Sequence, residues 1–118
     1  MPNKHLISNL LVDWNGYAQI NAHQIIETAD PVAQRLSATP DVNIVSQKAC
    51  DAFLELMGCE SALAEILSGE LPYLEFVQIN RSKITDTPNF FDFKIIPVDS
   101  NTPALGAFLL IRKSTIEG

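Results

Sequence analysis

The sequence predicts a single α+β domain, and three observations predict it. The chain has 118 residues, close to the commonest size of one domain. Its composition, 47% hydrophobic and 19% charged, can bury a core and excludes global disorder. The apolar period also changes along the chain. Helical spacing dominates the first two thirds, interrupted by two short β-prone runs, and strand-like spacing takes over after residue 73.

Taken in order, residues 6–14 place Ile7, Leu10, Leu11 and Trp14 at i, i+3, i+4 and i+7, one face of an amphipathic helix. Asn15-Gly16 is expected to end it, with the glycine as a left-handed stop. Tyr17 to Ile20 and Ile25 to Thr28 read as strands, joined by Asn21-Ala22-His23-Gln24 as a four-residue hairpin loop. Asp30-Pro31 starts a helix, with Asp as N-cap and Pro at the first helical position. Val32, Ala33 and Leu36 should face inward from it, and Thr39-Pro40-Asp41 breaks the chain again.

Residues 42–68 are mostly helical by pattern. Ala49, Ala52, Phe53, Leu56 and Met57 form one apolar stripe closed by Gly58, and Leu63, Ile66 and Leu67 form a second. Ser68-Gly69-Glu70 ends that helix and Pro72 prevents its resumption. Tyr73 to Arg81 is rich in β-formers, and Ser82 to Asn89 is a polar loop, expected to be mobile. Phe91, Phe93 and Ile95 alternate with Asp92 and Lys94, the cleanest strand pattern in the chain. After a polar turn from Pro97 to Pro103, Ala104 to Arg112 is almost continuously apolar, as expected of a strand covered on both faces or central in its sheet. The chain stops soon after that strand, which fits a piece of a longer protein or a short natural one.

Charge narrows the function classes. The formal net charge is −6, and residues 1–80 carry 3 basic against 10 acidic side chains. Such a surface repels a phosphate backbone or anionic lipid, so neither nucleic-acid nor membrane-surface binding is expected. No apolar run approaches the ~18 residues of a spanning helix. Met1 to His5 holds a single lysine and Asp13 interrupts the apolar stretch behind it, so no secretory signal is expected. Cys50 and Cys59 belong to no CxxC, and His5 and His23 lie far from both. They read as reduced thiols in a cytoplasmic chain without a metal site. No glycine-rich phosphate loop, HExxH or nucleophile–base arrangement occurs, so no catalytic residue is assigned.

Several strings resemble the PAS sensor family. Residues 25–36, Ile-Ile-Glu-Thr-Ala-Asp-Pro-Val-Ala-Gln-Arg-Leu, resemble its strand, Asn-Pro-x-Ala and helix opening, with Asp30 in place of the usual Asn. Leu67-Ser68-Gly69-Glu70 resembles the string before the third strand. Asn89 to Val98 is similar to the fourth strand, and Gly106 to Thr115 to the last, where Lys113 stands in place of an Asp that often helps couple the domain to the next segment of its chain. The resemblance covers roughly residues 17–115. It implies a PAS-like five-stranded antiparallel sheet with helices packed on one face, preceded by the N-terminal amphipathic helix (residues 1–16) and succeeded by the start of an extension or tail (116–118).

It further implies a sensory or protein-interaction module of a bacterial-style signalling protein, coupled to a neighbouring output domain and not itself an enzyme. The ligand, if there is one, stays unknown. Haem-binding members use an axial His on the helix before the third strand, and residues 42–70 contain none. Photoactive flavin members need an Asn-Cys-Arg-Phe-Leu-Gln motif that neither cysteine provides. Phe76, Phe91, Phe93 and Leu109 are candidates to line a pocket or to fill a core. Gln78 joins them if Leu74, Phe76 and Gln78 share the inward face, because a buried amide needs a partner; if Val77 and Ile79 point inward, it is solvated. Ile7, Leu10, Leu11 and Trp14 form the candidate dimer face, or fold back on their own sheet. An exposed stripe of that kind is a liability on a monomer.

Two rivals remain at this point. A cone-shaped α+β enzyme of isomerase or dehydratase type lacks an early hairpin, so residues 17–28 discriminate. A purely structural dimerisation domain would have a filled core.

Overall fold

The computed structural model describes residues 14–80 and 90–113. Ile7, Leu10 and Leu11, the loop from Ser82 to Asn89 and residues 114–118 lie outside them, and so do the expectations placed there. The elements are β1 (Gly16–Ile20), β2 (Ile26–Ala29), α1 (Pro31–Leu36), α2 (Ala49–Ala52), α3 (Glu60–Ser68), β3 (Leu74–Asn80), β4 (Phe90–Pro97) and β5 (Ala107–Lys113), with 3-10 turns at Leu54–Leu56 and Pro103–Leu105.

The five strands form one antiparallel sheet in the order β2-β1-β5-β4-β3. The early hairpin and the three later strands therefore share a single layer, joined where β1 pairs with β5. Residues 17–28, expected to form the hairpin, do so, which removes the reason to favour the cone-shaped enzyme. β5 is central, and Ala107 to Ile111 are all buried, as its unbroken apolar run requires.

Pairing sets the two faces. Ala18 lies opposite Leu109, Phe93 opposite Ile111 and Leu74 opposite Ile95. All six meet the helices in one core with Ala33, Ala49, Ala52, Phe53, Leu56, Leu63 and Ile66. Burying each large member stabilises the fold by about 1.5–3 kcal/mol. On the opposite face Tyr17 meets Phe108 edge to face at 6.4 Å.

Four expectations need correction. Gly16 is not left-handed: it opens β1 and is absent from the positive-φ residues. Its role is steric, because a Cβ there would lie 2.6 Å from Val32 Cβ and 2.9 Å from Asp30 Oδ1. Glycine lets the start of α1 close onto β1.

Residues 42–48 are not helical. Gln34 holds this stretch open by donating from Nε2 to the carbonyl of Val42 (2.6 Å) and accepting at Oε1 from the Ile44 N–H (3.1 Å). Ser46 adopts φ 80. The first stripe is also broken: α2 stops when Phe53 turns extended (φ −128, ψ 121), a 3-10 turn comes next, and Met57 is exposed rather than part of the buried face. Lastly, β5 begins at Ala107, not Ala104. Gly106 before it takes φ 130 against the backbone carbonyl of Ile20, an approach only glycine tolerates.

Elsewhere the local chemistry acts as expected. Asp30 caps α1, and Asn21 Oδ1 accepts from the His23 and Ile25 N–H groups across the hairpin loop. Gly69 closes α3 in the left-handed region at φ 86.

Candidate functional site

The pocket candidates divide by depth. Phe93 and Leu109 are fully buried in the core, and Phe93 stands edge to face with Phe53, ring centres 6.2 Å apart. Phe76 and Phe91 are half-buried at the core's margin. The register across β3 obeys the first of the two alternatives as far as Phe76: Leu74 and Phe76 lie on the helix side, whereas Val77 is exposed. The pairing then shifts between Phe76 and Ile79, so the alternation cannot be extended to Gln78, whose side chain lies outside the described residues.

Among the described residues, two hollows open elsewhere on the surface. A groove of about 470 Å³ runs between the end of α3 and the turn after β4, lined by Leu71, Pro72, Ile96, Pro97 and Pro103 among others. A smaller one of about 260 Å³ is lined by His23, Gln24, Lys48, Cys50 and Glu60. Neither is lined by Phe76, Phe91, Phe93 or Leu109.

Chemistry at the smaller hollow is muted. Burial, reinforced by the Glu60 carboxylate, pushes the Cys50 thiol up to about 11. A thiol held neutral is a poor nucleophile and a poor ligand. Cys59 is half-buried, with its Sγ 3.8 Å from the Glu55 carbonyl. Among the described residues no group of three His, Cys, Asp or Glu side chains is arranged to hold a metal.

The segment before β1 is where the structure assembles residues that the sequence kept apart. Trp14, from the candidate dimer face, is half-buried. The Arg112 guanidinium carbon sits 4.7 Å from the centre of its ring. Arg112 Nε lies 3.1 Å from Asp92 Oδ2. Asn15 donates its N–H to the Ile111 carbonyl (2.6 Å) and accepts at Oδ1 from the Lys113 N–H (2.7 Å). Alternation reads Asp92 as an exposed strand residue, yet it is 6% exposed. The missed signal is the register that sets Asp92 opposite Arg112.

No protein-family model matches the chain and no curated protein matches it. Solved structures do. The chain is similar to the sensor region of a sensor histidine kinase, with a TM-score of 0.55 and 12% identity over 83% of this chain; it spans 38% of that protein's chain. It is also similar to a sensory box sensor histidine kinase from Vibrio cholerae, with a TM-score of 0.58 and 11% identity over 97% of this chain and 93% of that one. At such identities the likeness is one of fold: a PAS-like α+β domain, the class that the sheet order and one-sided helices define. No described helix is long and apolar enough to cross a membrane.

Proposed function

We propose that this chain is a sensory or protein-interaction module of a signal-transduction protein, coupling a partner or small molecule to a neighbouring domain or to dimerisation. One observation carries the reading. A single antiparallel sheet, roofed on one face, places β1 directly beside the central β5, so the start of β1 and the end of β5 lie side by side. The sensor domains of similar fold support the signalling role. The mechanism is a population shift: whatever binds one arrangement of flanks and helices better favours that arrangement by its difference in affinity.

In this reading Ile7, Leu10, Leu11 and Trp14 supply the face for a second copy. Phe76 and Phe91, at the core's margin, mark where a small apolar molecule would enter, with Phe93 and Leu109 beneath them. The domain performs no chemistry itself; a linked output domain would.

Native mass spectrometry of the purified chain tests both halves. The expected result is the mass of two chains, reduced to one by Leu11→Asp, and any additional mass identifies a ligand. Two chains with no added mass would leave the dimerisation role alone. A single chain with no added mass would refute both the dimer and the bound small molecule.

A further inference from the structure

The chain has one tryptophan, and Trp14 stands immediately before the sheet begins. The Arg112 guanidinium is held from two sides, by the Trp14 ring at 4.7 Å and by Asp92 at 3.1 Å. Asp92 is 6% exposed. A carboxylate so deep needs hydrogen-bond donors, and the Arg112 guanidinium, 40% exposed, supplies one of them with its charge. Beside this stack, Asn15 holds both Ile111 and Lys113. The two residues before β1 and the last three of β5 are thereby fastened at one point. Arginine suits the position because its flat guanidinium can lie on a ring while presenting an N–H to a carboxylate, which an ammonium cannot do in the same way.

We infer that Arg112 is a joint between the two flanks of the domain: the Trp14–Arg112–Asp92 stack makes a displacement of the segment before β1 displace the end of β5, and the reverse. Its meaning as a signal path rests on the function proposed above, but the coupling is a property of the folded chain and needs neither ligand nor dimer. It can therefore fail while that proposal stands, and the proposal can fail while the joint stands.

The test uses the whole chain and its single tryptophan. Asp92→Ala alters β4 and leaves Trp14, Asn15 and Lys113 in place. If the joint exists, losing the carboxylate frees Arg112. Acrylamide quenching of Trp14 then rises, and amide exchange at Asn15 and Lys113 quickens by roughly tenfold or more, while exchange at Ala18 and Ile95 keeps its rate. Arg112→Lys, which retains a cation beside Asp92 but loses the flat stack, should raise Trp14 quenching with the sheet's exchange unchanged. Wild-type quenching and exchange in both variants would overturn the inference. So would acceleration of exchange by the same factor throughout the sheet, because the pair would then be a folding contact and no joint.

Discussion

Asp30 Oδ1 accepts from the Ala33 N–H at 2.9 Å and from the Tyr17 N–H at 3.1 Å. One oxygen thus caps α1 and ties it to β1, over the spot where Gly16 makes room. The cap is visible in the sequence because Asp-Pro before an apolar helix is a local signal. The bond to Tyr17 spans 13 positions and depends on the hairpin folding back, so no local pattern announces it. Asp30→Ala leaves both donors without that acceptor and should cost about 1–3 kcal/mol in urea unfolding. Asp30→Asn, which keeps a carbonyl oxygen in the same place, should stay within about 1 kcal/mol of wild type. Equal losses for the two variants would mean that charge, not acceptor geometry, matters there.

Cys50 gives a second test at this scale. Its thiol is pushed up to about 11, first by burial and then by Glu60. The folded state therefore keeps the proton longer than the unfolded chain. That contribution is complete below pH 9.0 and is lost as pH rises towards about 11. Stability should fall across this window more steeply in wild type than in Cys50→Ala, and iodoacetamide at about pH 8 should label Cys59 before Cys50. Faster labelling of Cys50 would contradict the burial argument.

At the scale of elements, legibility tracked the range of the contacts that decide each one. β4 and β5 stand out because alternation and an unbroken apolar run are properties of the segment itself. α3 ends where Gly69 permits a left-handed residue. The stretch from 42 to 48 misleads because its backbone is satisfied by a side chain from α1: Gln34 bonds Val42 and Ile44, and spacing cannot reveal such a partner. Gln34→Ala should open this strap, raising limited proteolysis between residues 39 and 46 several-fold at a cost of about 1–2 kcal/mol, with β5 still protected. Unchanged cleavage would show that Ile44, fully buried in the core, holds the strap alone.

For the molecule as a whole, the order of elements carried the architecture, whereas the candidate site was legible only in part. Phe93 and Leu109 were readable as inward-facing, because alternation and apolar runs report burial. Whether aromatics line a pocket or fill a core depends on volumes between elements, which no single strand encodes. The Trp14–Arg112–Asp92 stack joins three distant positions through two registers and was invisible for the same reason. The signalling role and the joint share one requirement, that β1 lies between β2 and β5. Cross-strand backbone nuclear Overhauser effects from Leu109 and Ile111 in solution test it most directly. The structure predicts contacts from Leu109 to Ala18 and from Ile111 to both Gly16 and Phe93. Contacts from β5 to β4 alone, with β1 meeting nothing but β2, would break the sheet in two and take the proposed signalling role and the joint with it.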